Sequence, residues 1–300
     1  GTMSSIQPPV QSPPPGRRAV GSGGALPSAA VWRRQEFNTP RPEPSVSASY
    51  MLVVGGMNST GGRRSDVLSF SGANQGSGGV ATWTTHADAL PQALSHCAAA
   101  AQSSTLHVVG GLLPDGSSTD QYVRLSLASG AGGVSVSAST GPALPDSFSG
   151  GAVATFGFSI YFVTPPTVDG TAGSSFLYQL DGVANAWTQV GSWTLPMTTG
   201  ATILTTSTAV YFAGGESAQG SSLVAVRQCS PQPMQCSTLL SLPTATVDAA
   251  GAVLRSDLYV LGGSDSSGIA VSTVQRHQIG SVGTRASMPA PRVGHLAMPF

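Results

Sequence analysis

The sequence contains no lysine: all thirteen basic residues among its 300 are arginine, offset by thirteen Asp and Glu for a formal net charge of zero. Charged residues make up only 9% of the chain, against about 25% in an average soluble domain. A neutral chain has no global field to gather it onto nucleic acid or an acidic membrane, so neither is an expected partner. A GC-rich genome would leave lysine out with no selection on function; the functional alternative is avoidance of ubiquitin attachment, which suits a ligase adaptor. No run of eighteen apolar residues occurs, so no membrane-spanning helix is expected. The stretch after Met3, SSIQPPVQSPPPGRR, lacks the apolar core of a secretory signal, which sets the expected location as cytoplasmic. Cysteine is scarce as well, with three residues in all. Cys229 and Cys236 flank SPQPMQ between two strand-like runs, either as unpaired thiols or as a bridge across a hairpin. A bridge would make the protein secreted.

What is abundant is glycine, 38 residues, with 40% hydrophobic content, a balance that suits turned sheets packed face to face and not disorder. A Leu-Pro or Met-Pro pair recurs at Leu90-Pro91, Leu144-Pro145, Leu195-Pro196, Leu242-Pro243 and Met288-Pro289, a period of about 50 residues. Short apolar runs close on a glycine doublet at Gly55-Gly56, Gly110-Gly111, Gly214-Gly215 and Gly262-Gly263. At the equivalent place the third unit has Thr164-Pro165.

Each unit reads as four short strands. A small-residue strand follows the Leu-Pro turn, the second ends at the doublet, a Gly/Ser-rich loop follows, and the third has β-branched or alternating character. The fourth holds Trp83 in one unit and Trp187 in another, and both are expected to pack between neighbouring units. The fold class is therefore all-β, a β-propeller of four-stranded antiparallel blades, with five blades expected and six the alternative. Residues 1–46 form a Pro/Gly/Ser-rich N-terminal arm, partly disordered or packed on the outside, and 47–300 the propeller. Counted in register, the last residue meets residue 47, so the C-terminal strand is expected to pair into the first blade and close the ring, removing its sheet edges.

The pattern of apolar run, Gly-Gly, polar loop, strand and Trp resembles the kelch repeat. That resemblance implies a propeller that captures segments of partner proteins at one end of its channel, with arginines at the start of first strands; Arg292 matches such an arginine. Loops bearing Asn58, Arg63, Arg64, Asp115, Asp146, Glu216, Asp248, Asp265 and Arg292 are expected around that mouth. The five histidines show no metal-ligand spacing, and His96 and His295 read as a structural preference of the repeat. No nucleophile elbow or phosphate loop stands out. The expected function is a non-catalytic protein-binding module, scaffold or adaptor, a monomer with no cofactor, no metal and no catalytic residue. The alternative is an enzyme or carbohydrate-binding propeller, galactose-oxidase-like or epimerase-like, with its site at the channel mouth.

Overall fold

The computed structural model describes residues 30–35, 48–58, 62–71, 82–130, 133–169, 172–239, 241–254, 257–278 and 281–291. They form five antiparallel sheets, the blades of a propeller, and no helix occurs among them. The first blade takes β1 (Ala30–Gln35), β2 (Ala48–Val54), β3 (Val67–Ser71) and β4 (Thr82–His86) in that order. The second takes β5 (Ala98–Gln102), β6 (Thr105–Val109), β7 (Tyr122–Gly130) and β8 (Gly133–Thr140). The third has β9 (Ala152–Phe156), β10 (Ser159–Val163), β12 (Ala172–Asp181) and β13 (Ala186–Leu195), with the short β11 (Thr167–Asp169) added beside β12. The fourth has β14 (Thr202–Thr205), β15 (Val210–Ala213), β16 (Val226–Pro231) and β17 (Met234–Thr238). The fifth has β18 (Ala250–Leu254), β19 (Asp257–Leu261), β20 (Val274–Gln278) and β21 (Ser281–Arg285). The leading strands β1, β5, β9, β14 and β18 touch in succession and line the inside.

The five-bladed, four-stranded architecture is the one read from the repeats, but its closure differs. The slot beside β2 is filled by β1, whose Ala30 pairs with Val53 and Gln35 with Ala48. The C-terminal run expected there lies largely outside the described residues, which end at 291. A segment only a short loop away closes onto β2 at less entropic cost than one at the far end of the chain. Every blade is thus contiguous in sequence.

The repeated signals have distinct physical roles. Leu90, Leu144, Leu195 and Leu242 are all core residues, at most 4% exposed. The N–H of Leu90, Leu144 and Leu242 reaches back to Ser65, Asp120 and Val224 of the preceding blade, and that of Met288 to Ser272. The proline that follows cannot continue the strand, so the chain turns toward the next blade. The second glycine of the doublet then crosses the seam. Gly56, Gly111 and Gly215 donate their N–H to the carbonyls of Leu94, Phe148 and Thr246, at 2.6, 2.8 and 2.8 Å. In the third blade Pro165 has no N–H to give. That seam is closed instead by Trp193, whose indole N–H donates to the Ser230 carbonyl, and by Gly173, whose hydrogen leaves room for the Met197 carbonyl.

Cores fill the seams between successive blades. Between the second and third lies the pair of His107 Nδ1 and the Tyr122 hydroxyl, 2.7 Å apart, with Trp187 set edge-on against Tyr122. Burial pushes His107 down to about 4, aided by the Arg124 guanidinium, and pushes Tyr122 up to about 12. Trp187 thus packs between blades as its place in the repeat predicts. Trp83, on the matching fourth strand of the first blade, is 47% exposed and is not part of a seam core. Cys229 and Cys236 face each other across β16 and β17 and form a disulfide, while Cys97 is a buried free thiol.

Candidate functional site

The loops after the glycine doublets and the turns that lead into the inner strands share one end of the propeller. Bridges of Arg64 with Leu94, Thr119 with Phe148, Thr199 with Glu216 and Val247 with Ser264 hold them there. Most of the polar residues expected at this face have a local duty. Asn58 accepts the N–H of Gly62. Asp115 accepts the N–H and the hydroxyl of Ser117, bonds that hold its carboxyl below the usual range. Asp265 accepts the N–H groups of Ser267 and Ile269. These are turns in which a side-chain oxygen replaces a backbone acceptor.

Arg64 is paired with Asp66 through two hydrogen bonds of 2.9 and 2.8 Å. Glu216 contributes its backbone to the bridges with Thr199 and Ser222. Asp146 lies near Tyr178, whose hydroxyl is pushed up by burial and, second, by that carboxylate. Arg292 lies outside the described residues.

Two of the expected residues, Arg63 and Asp248, both lie within electrostatic reach of a third that sequence reasoning set aside, His96. Arg63 Nε–H donates to Ser95 Oγ at 2.9 Å and its Nη1 to the Pro114 carbonyl at 3.2 Å. Ser95 is 1% exposed, and its Oγ lies 3.1 Å from Nδ1 of His96. The Ser95 hydroxyl thus joins the Arg63 guanidinium and the His96 ring in one hydrogen-bonded chain. Partial burial and then Arg63 lower the His96 pKa, and Asp248 opposes them. The imidazole therefore lies within electrostatic reach of both Arg63, from the first blade, and Asp248, from the turn into the fifth.

The backbone marks the same two residues. Ahead of the inner strands of the second to fifth blades stand His96, Gly150, Gly200 and Asp248, with φ of 54°, 81°, 62° and 53°. Neighbours in this set are hydrogen-bonded, Gly150 N–H to the His96 carbonyl at 2.7 Å and Asp248 N–H to the Gly200 carbonyl at 2.9 Å. Left-handed φ suits glycine and strains most other residues by about 1–2 kcal/mol. The signal in the sequence was that each residue stands five or six positions after the leucine of its Leu-Pro pair; the left-handed backbone there was not legible. Among the described residues no group of three or more His, Cys, Asp or Glu is placed to hold a metal ion.

No family model matches the chain, and no curated protein matches it. The solved structure described as "Structure of YjhT" is similar, with a TM-score of 0.63 at 12% identity, over 92% of this chain and 88% of that one. A likeness at that identity concerns the fold alone.

Proposed function

We propose that the loop end of the propeller binds a polar segment of a partner protein, and that the chain works as a non-catalytic binding module or adaptor. The observation that carries this reading is the pair His96 and Asp248, which hold left-handed backbone where two other blades place glycine. Glycine takes this backbone without strain, so the left-handed turn itself requires neither side chain. What they add is an imidazole and a carboxylate at the mouth, with Arg63 bonded to the same Ser95 hydroxyl as the ring. Polar groups of both kinds suit the amides of a peptide segment. The kelch-like repeats support the same reading.

The test is a pair of substitutions, His96→Gly and Asp248→Gly, compared with wild type in quantitative co-purification from the native cell. Both variants are expected to unfold at equal or higher denaturant concentration than wild type, and to lose most of the recovered partner. Undiminished recovery with both variants would refute the assignment of this face.

The Cys229–Cys236 disulfide supports the secreted alternative over the cytoplasmic one, because such bridges persist in oxidising compartments. Fractionation of the native cell, with the chain found outside the reducing cytosol, is the matching measurement.

A further inference from the structure

The opposite end of the third blade carries a cleft of about 510 Å³, within the range of roughly 300–1,000 Å³ usual for small-molecule sites. Two features of its lining go beyond what the blade needs to fold, and a third is a turn-bracing carboxylate that keeps one oxygen out of its turn bonds. Phe158 sits in the turn between β9 and β10 and is 100% exposed, although such turns ordinarily carry small polar residues. The pairing of β12 with β13 slips between Leu177 and Tyr178, which leaves Val190 as an extra residue between Gln189 and Gly191. Bulges of this kind re-aim side chains next to binding sites, and Val190 lines the cleft while 44% exposed. Asp181, at the end of β12, is fixed by accepting the N–H groups of Val183 and Ala184 on Oδ1, at 2.7 and 2.9 Å. Neither bond uses Oδ2.

We propose that this cleft binds a neutral saccharide. Phe158 and Val190 offer an apolar wall for the C–H face of a sugar ring. In the same lining Asp181 Oδ2 accepts from ring hydroxyls. The Gln179 amide, which donates from Nε2 to Ser159 Oγ at 3.3 Å, keeps its carbonyl oxygen as a second acceptor. Asp181 is the single charged residue of the lining, so a carboxylate or phosphate is repelled where a hydroxyl is welcomed. This site stands apart from the loop-end surface and does not depend on that reading.

The test is a titration of the whole chain with D-glucose, D-galactose, D-mannose, N-acetylglucosamine and their β-linked disaccharides, read by saturation-transfer NMR and calorimetry. Glucuronic acid serves as the anionic control and a polyproline nonapeptide as the peptide control. At least one neutral probe is expected to bind. Phe158→Ala is expected to weaken it about tenfold, equivalent to about 1.4 kcal/mol, with an unchanged thermal midpoint because the ring is fully exposed. Asp181→Asn, which keeps an oxygen for the turn, is expected to weaken it as well. The proposal is overturned by silence from every neutral probe, by binding that Phe158→Ala leaves intact, or by binding of the anionic or peptide control alone.

Discussion

The indole N–H of Trp193 donates to the carbonyl of Ser230 at 3.3 Å, tying the last strand of the third blade to the disulfide-bearing hairpin of the fourth. Gly191, on the same strand, lies so close to Met234 that a Cβ there would stand 2.3 Å from its Cε. Trp193→Phe keeps most of the packing and removes the donor, so it is expected to cost about 1 kcal/mol. Trp193→Ala, which also empties the seam, is expected to cost about 3–5 kcal/mol. Urea unfolding of the two variants separates the contributions, and a Phe variant as stable as wild type would mean that the hydrogen bond contributes nothing.

Gly214 and Gly220 share a left-handed backbone, with φ of 69° and 74°, but differ in surroundings. A Cβ on Gly214 would stand 2.3 Å from the Thr246 carbonyl across the seam, whereas one on Gly220 meets nothing within 4 Å. Gly220→Ala therefore reports backbone strain alone, about 1–2 kcal/mol, and Gly214→Ala adds an overpacking cost of about 1–3 kcal/mol. Equal losses in denaturant unfolding would contradict the close approach of the two blades.

Thiol counting checks the cysteine assignment. Cys97 is buried and its thiol is pushed up to about 12 by burial, while the other two cysteines are bridged. A thiol reagent is expected to find none in the folded chain, one after unfolding without reductant, and three after unfolding with a dithiol. Loss of the bridge through Cys229→Ser with Cys236→Ser is expected to cost about 2 kcal/mol. Three reactive thiols without reductant would dismiss the bridge.

His107 makes stability depend on pH. Its folded pKa of about 4 lies below the ordinary histidine value of 6.5, so the unfolded chain takes up a proton that the folded one refuses. The contribution is complete above pH 6.5 and is lost as pH falls toward about 4, to the extent of about 3 kcal/mol. His107→Gln is expected to flatten that part of the stability profile relative to wild type, measured by denaturant unfolding from pH 7.5 down to 4. Parallel profiles for the two proteins would assign the dependence to other groups.

The architecture was legible because the Leu-Pro pairs and the glycine doublets each mark a backbone event that recurs in every blade, a strand stop or a seam crossing. Closure was not legible. The register count that brought Phe300 to Ser47 is indifferent to which segment fills the slot beside β2, and Leu26-Pro27, just ahead of AVWRRQ, stands well outside the spacing that relates the other Leu-Pro and Met-Pro pairs. At the loop end, composition correctly put Asn58, Asp115 and Asp265 in exposed loops, but nothing in it tells a carboxylate that braces its own turn from one turned outward. His96 was missed because a left-handed φ is a property of position in the blade, visible in the sequence only where glycine marks it.

Because each blade is one uninterrupted stretch of chain, a single in-frame duplication or loss of about 50 codons adds or removes a whole structural unit without severing any strand pairing inside the others. Its boundary falls in the turn around the Leu-Pro pair, where one unit already hands over to the next. A ring assembled from such cassettes changes its circumference by recombination, while the identity of the residues at each mouth position drifts separately by point substitution. His96 and Asp248 in the places of Gly150 and Gly200 show how far the side chains of such cassettes diverge while the backbone keeps its left-handed turn.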